Sequence, residues 1–297
     1  MRRFTKALLL ATCLTTGIAD AGVIPSQIKN TVAFVYLLDS NTNTVPNGTG
    51  FFVAVQNPTN SSQSAGYFVT SKHVLQDATR SKLLPGVLLR VNLKAAGSQF
   101  LAVPLIAEGK DKNVFLHTDP AVDVAVIPAH PSQELFEYVY LPADMLTAKS
   151  DFDSLNIREG SEIFFVGLFL PYPGYQRNYP ITRFGRVSLM TDEQIEWDHR
   201  MMDLYLVESG SFGGNSGSPV FFSLGSDRIP GSIVIGSPVI KIAGVMMGAY
   251  QDVKPLSVAF TSPVPVSQSS MGIAAVVPAY KLHEILFGTE LRTRRGF

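Results

Sequence analysis

Short apolar runs rich in valine, isoleucine, phenylalanine and tyrosine recur along the chain, broken by glycine, proline, asparagine and serine. The first group comprises TVAFVYLL (31–38), GTGFFVAV (48–55), AGYFVTS (65–71), PGVLLRVNL (85–93) and VDVAVIP (122–128). A polar, helix-tolerant stretch covers about 131 to 160. The second group follows: EIFFVGLF (162–169), TRFGRVSLM (182–190), MDLYLVE (202–208), SPVFFSL (218–224), IKIAGVMMGAY (240–250) and GIAAVVP (272–278). Runs of this length, bounded by turn residues, predict strands of a sandwich or barrel. Strands do not alternate with helical patterns, which disfavours a doubly wound sheet. The one clear helical signal is PAYKLHEILFG, where Pro278 starts a helix and Tyr280, Leu282, Ile285 and Leu286 share a face. The expected fold is therefore all-β: an N-terminal barrel over about 30–140, a C-terminal barrel over about 155–280, and a helix over about 279–288. SSQS (61–64) and the Pro- and Ser-rich 251–270 read as surface excursions.

Composition narrows the function. Of 297 residues, 46% are hydrophobic and 16% charged, enough apolar material for a sizeable core. The formal net charge is zero, so no basic surplus draws in nucleic acid. At the N-terminus, MRRFTK is followed by the apolar ALLLATCLTTGIA and by small residues at Ala19 and Ala21. That order predicts a signal peptide over 1–21 and a mature domain over 22–297, exported to the periplasm or the medium. The apolar run is too short to span a bilayer comfortably, so no membrane anchor is expected after cleavage. Cys13 is the sole cysteine, which leaves the mature chain without a disulfide or a cysteine nucleophile. The five histidines form no HxxxH or HExxH pair, so neither a metal nor another cofactor is expected.

Chemistry concentrates in SFGGNSGSPVFF (211–222), where glycines and serines run straight into a strand pattern. By itself such a stretch reads equally well as a flexible turn. A serine nucleophile needs a neighbouring base, and the base needs a group that fixes its tautomer. His73 follows a predicted strand in YFVTSKHVLQD, at a strand end where a rigid scaffold can aim a side chain into a cleft. Asp123 sits among apolar residues in DPAVDVAVIP, where a carboxylate is costly to bury unless hydrogen-bonded. Asp119 is a rival, but it precedes Pro120 and reads as a turn residue. Each residue also has an ordinary structural explanation: a surface histidine, an exposed strand aspartate, a glycine turn. Together, His73 and Asp123 from the first strand group and Ser216 from the second form a triad across a cleft between barrels.

These residues carry a resemblance. GTGFFV (48–53), FVTSKHV (68–74), DVAVI (123–127), FFVG (164–167), ITRFGRVS (181–188), GNSGSPV (214–220) and IAGVMMG (242–248) follow in order over about 30–280. The chain thereby resembles the trypsin-like, chymotrypsin-fold serine peptidases of the disulfide-free bacterial kind. It is similar to the staphylococcal glutamyl endopeptidases and to the protease domains of the periplasmic high-temperature-requirement proteases. The resemblance implies two packed six-stranded antiparallel barrels and a catalytic His73, Asp123 and Ser216. It also implies an oxyanion hole from the Gly214 and Ser216 amides, and protein or peptide substrates. Ser71 stands where the family usually has alanine. Asn215 replaces the aspartate that pairs with a new N-terminus in zymogen-type members, which implies no activation of that kind. The floor of the primary pocket is implied near Gly210, and its wall at Met246, Met247 and Gly248. Gly210 supplies no carboxylate for a basic side chain, and Met246 stands where glutamyl endopeptidases have histidine. An apolar or small side chain before the scissile bond is the resulting expectation.

The expected activity is thus an exported serine endopeptidase working through an acyl-enzyme. The alternative is a catalytically silent or latent binding module on the same fold. An α/β-hydrolase esterase fails, because the frame around Ser216 is not Gly-x-Ser-x-Gly and His73 precedes the serine.

Overall fold

The computed structural model describes residues 24–106, 112–225, 238–255 and 266–297. The signal peptide expected over 1–21 lies outside the described residues. Eight strands form in the first half: β1 (Val32–Leu38), β2 (Thr44–Asn57), β3 (Asn60–Thr70), β4 (Gly86–Asn92), β5 (Ser98–Pro104), β6 (Phe115–Leu116), β7 (Ala125–Pro128) and β8 (Leu141–Pro142). Their order is β5-β4-β1-β2-β3-β7-β6, with β8 parallel to β2. β1, β2, β3, β4 and β7 correspond to the five expected runs, and β5 adds to them. β6 and β8 are two-residue additions.

The second half holds α1 (Lys149–Ser154), β9 (Glu162–Gly167), β10 (Ile181–Leu189), β11 (Ile195–Trp197), β12 (Arg200–Met202), β13 (Tyr205–Glu208), β14 (Pro219–Leu224), β15 (Val239–Pro255) and β16 (Val266–Pro278). Six of these strands close a barrel in the order β10-β13-β16-β15-β14-β9. β11 and β12 stand apart as a two-stranded hairpin. The chain ends with α2 (Ala279–Leu286) and α3 (Thr289–Arg295). The architecture is the mostly-β double barrel of chymotrypsin-like proteins, with a helical C-terminus.

The strands read as unbroken apolar runs because both of their faces are buried. Side chains alternate across a strand, so neighbours enter different cores. In β2, Phe52 enters the first barrel's interior while Phe51 and Val53 face the space between the barrels. β3 repeats this with Phe68 against Tyr67 and Val69. In β9 and β14, Phe165, Val220 and Phe222 fill the second barrel, while Phe164 and Phe221 face outward and stack at 4.9 Å. The outward-facing residues of both halves, joined by Leu282, Ile285 and Leu286 of α2, form one inter-barrel core. Fully burying such a side chain contributes about 1.5–3 kcal/mol.

Two surface expectations change. SSQS lies inside β3, as the exposed start of a hairpin with β2. Residues 251–255 and 266–270 extend β15 and β16 as a paired ribbon, and 256–265 lie outside the described residues.

Candidate active site

β3 and β7 are antiparallel neighbours, with Thr70 opposite Ala125. Residues just after β3 and just before β7 therefore meet at one end of the sheet. Beyond Thr70 the chain forms a 3-10 turn, Lys72–Leu75, pinned by buried Val74 and Leu75. This turn presents His73. Asp123, expected within a strand, lies two residues before β7, opposite that turn. Its Oδ1 accepts the His73 backbone N–H at 2.9 Å, and its Oδ2 lies 2.5 Å from Nδ1. At 7% exposure the carboxylate is buried, and these two contacts repay its desolvation. With the Nδ1 proton directed at Asp123, Nε2 is left as the acceptor. Next to it, burial pushes the Lys72 ammonium's pKa down, and Nζ donates to the Pro120 carbonyl at 2.5 Å. Asp119 does not reach His73 through any hydrogen bond among the described residues. Its Oδ1 accepts the Ala121 N–H at 2.8 Å and its carbonyl the Val122 N–H at 3.2 Å, shaping the turn into Asp123.

The loop before β14 presents Ser216. Asn215 N–H donates to the Phe212 carbonyl at 3.1 Å, closing a turn whose third residue, Gly214, has φ +88°. A type II turn requires that sign, which disfavours a side chain there. Gly217 also has positive φ (+86°), and a Cβ on it would overlap the Thr49 carbonyl oxygen. Both polar atoms of the Asn215 side chain are engaged: Oδ1 accepts the Phe212 N–H at 2.9 Å and Nδ2 donates to the Leu168 carbonyl at 2.8 Å. Among the described residues, neither the Gly214 nor the Ser216 amide donates to a protein acceptor. The Ser216 hydroxyl donates to the Met247 carbonyl at 3.0 Å, not to His73.

The sequence left two tethers unassigned. Thr49 N–H donates to the Ser216 carbonyl (2.9 Å), and Thr49 Oγ1 donates to the Gly214 carbonyl (2.8 Å) while accepting the Leu168 N–H (2.9 Å). Ser71 Oγ donates to the Met246 carbonyl at 3.0 Å, again across the barrels. GTGFFV and Ser71 were visible as motif positions, but only tertiary pairing gives their hydroxyls a purpose.

Of the residues expected around the substrate, Met246 is wholly buried inside the second barrel. Met247 belongs to the inter-barrel core and, with His73, borders a cavity of about 30 Å³. The pairing of β15 with β16 skips Met247, and this bulge separates the two methionines. Gly248 follows, with the Trp197 ring 3.3 Å from where a Cβ would sit. Trp197, from the β11–β12 hairpin, also packs edge-on against Tyr250 at 4.5 Å. The hairpin's Asp198 reaches Arg80 of the first barrel at 3.1 Å. Gly210 lies beside Phe212 and the guanidinium of Arg183.

Residues 48–226 match the family model of the trypsin-like peptidase domain. No curated protein sequence matches the chain. Among solved structures, it is similar to the apo MamO protease domain from Magnetospirillum magneticum, 14% identical at a TM-score of 0.48, with 87% of this chain and 97% of that chain covered. It is also similar to Rv3671c from M. tuberculosis H37Rv. An inactive mutant form of that protein is 15% identical at a TM-score of 0.42, covering 91% and 89%. A further inactive form is 17% identical at 0.41, covering 87% and 88%.

Proposed function

The chain belongs to the family of trypsin-like peptidase domains, and on that premise we propose that it is an exported serine endopeptidase. The observation that carries this reading is the His73–Asp123 pair, its Nε2 making no hydrogen bond among the described residues, at the same inter-barrel edge as Ser216. A Cβ on Gly48 would touch both Val74, next to His73, and the Ser216 carbonyl, so the two loops are in register. In the proposed reaction Ser216 Oγ turns from the Met247 carbonyl toward His73 and attacks the scissile carbonyl. His73 Nε2 takes the hydroxyl proton and then delivers it to the leaving amine. Asp123 holds the imidazole tautomer and stabilises the imidazolium. The free amides of Gly214 and Ser216 receive the developing oxyanion; losing one such donor costs about 3–4 kcal/mol of barrier. Water then hydrolyses the acyl-enzyme by the same proton path. The Asn215 amide is satisfied by Phe212 and Leu168, which supports a loop that needs no new N-terminus to set it. The signal peptide over 1–21 would deliver the enzyme to the periplasm or medium.

One observation favours a latent binding module instead: the Ser216 hydroxyl is held by Met247. Fluorophosphonate labelling separates the two. The proposal expects the wild-type mature chain to label and Ser216→Ala not to. A folded wild type that neither labels nor cleaves casein would sink it.

A further inference from the structure

Among the described residues, Arg183 pairs with no carboxylate. It lies on β10, opposite Phe165 of β9, so a barrel strand fixes its backbone. Its Nη1 is 3.3 Å from where a Cβ on Gly210 would stand. Its guanidinium carbon lies 4.8 Å from the Phe212 ring centre and 6.0 Å from that of Phe169. Nε is buried without an acceptor, and no carboxylate pairs with the group among the described residues.

Other arginines of this chain are treated differently. Arg90, which is buried, spends its donors on Ser98, Tyr36 and the carbonyls of Gly174 and Tyr175. Arg177 pairs with Glu137, and Arg186, three residues along β10, pairs with Glu162. A buried donor without an acceptor is costly, so Arg183 is a place where an incoming acceptor gains more than usual. Partial burial also pushes its pKa down, the effect a neighbouring anion would offset.

The location supplies the ligand class. Gly210 and Phe212 belong to the segment that turns into Ser216, and glycine at 210 leaves the space beside the guanidinium clear. The nearest non-neighbouring atoms to a Cβ there are Arg183 Nη1 and, at 3.5 Å, the Phe212 ring. A planar guanidinium between aromatic rings suits a carboxylate at the end of a short apolar stem: the rings take the methylenes and the fork takes the oxygens. A lysine or arginine side chain would meet like charge.

We propose that Arg183 makes this enzyme select an acidic residue, glutamate or aspartate, immediately before the scissile bond. This replaces the apolar pocket expected from Gly210 and the two methionines, and it rests on the endopeptidase reading for the position of the substrate.

The test uses the mature chain and tetrapeptide substrates that differ only in that residue: Glu, Asp, Leu or Arg. Wild type is expected to favour Glu or Asp over Leu in kcat/KM by roughly 10- to 100-fold, the scale of a hydrogen-bonded charge pair. Arg183→Met should erase or invert the preference, and Arg183→Lys should keep part of it. In parallel, calorimetry on Ser216→Ala measures binding of acetylated tetrapeptides ending in Glu or Leu, so the selectivity is read even without turnover. A leucyl preference in wild type, or an acidic preference that survives in Arg183→Met, overturns the inference and leaves the endopeptidase reading standing. Selective binding of the Glu peptide by a chain that neither labels nor cleaves overturns the endopeptidase reading and supports the Arg183 site.

Discussion

At the scale of single residues, the loop that carries Ser216 depends on Thr49 as much as on its own glycines. One hydroxyl serves two backbone groups of the second barrel, the Gly214 carbonyl and the Leu168 amide. Thr49→Val keeps the shape and strands both partners. A destabilisation of about 1–3 kcal/mol is expected, read as a lower urea midpoint, together with slower fluorophosphonate labelling. Unchanged labelling in a destabilised variant would make Thr49 a purely structural tether. Asp123→Asn should act differently: wild-type-like stability to within about 1–2 kcal/mol, but a kcat lower by roughly 10⁴-fold, since the imidazole loses its tautomer. A loss below tenfold would remove Asp123 from the mechanism. The His73–Asp123 contact was legible in sequence because the proposed chemistry demands those residue types in those surroundings. Thr49 and Arg183 were not, because a threonine and an arginine in strand patterns are unremarkable until the fold decides what they face.

At the scale of elements, the apolar runs foretold most of the long strands, and their unbroken character has a physical source: one face fills a barrel and the other the inter-barrel core. β5 was missed because it is a terminal strand of its sheet with no residue fully buried, so its short apolar run FLAV does not stand out. The β11–β12 hairpin was missed because its mixed IEWDHRMM segment carries no glycine signal. Its turn is made by Asp198 and His199, both with positive φ. α3 was missed because Leu291 is its only buried residue. The terminal helices are tied to the hairpin end by Lys281 of α2, whose Nζ lies 2.7 Å from Asp203 Oδ2. The hydrogen bond and charge of Lys281 hold the Asp203 carboxyl below its ordinary value. A depressed folded-state pKa gives stability that is present above the ordinary carboxylate range, near pH 4, and lost as pH falls through the folded value. Asp203→Asn should therefore melt below wild type at pH 7, and the gap should close as the pH drops below about 4. Parallel melting curves from pH 7 to 3 in scanning calorimetry would show that the pair contributes nothing.

At the scale of the whole molecule, the inter-barrel core makes the two halves one folding unit. Phe51, Val69 and Val126 of the first half and Phe164, Phe221 and Val245 of the second belong to the same cluster, and α2 seals it with Leu282 and Leu286. Neither barrel alone could cover that face, because each would expose an unbroken apolar surface to water. The proposed catalytic groups are divided across the same boundary, His73 and Asp123 in the first half and Ser216 in the second, so the proposed site depends on this core. Leu286→Ala, at a fully buried helix position far from Ser216 in sequence, should cost about 2–5 kcal/mol. The loss should appear in both halves together. Trp197, the only tryptophan, sits on the hairpin of the second half, so its fluorescence reports there, while far-UV circular dichroism reports on all strands. In urea the two signals are expected to share one midpoint in wild type and to move by the same amount in Leu286→Ala, with fluorophosphonate labelling disappearing over the same range. A dichroism curve that splits into two steps, with Trp197 following only one, would show that the barrels fold separately and that the inter-barrel core merely docks them.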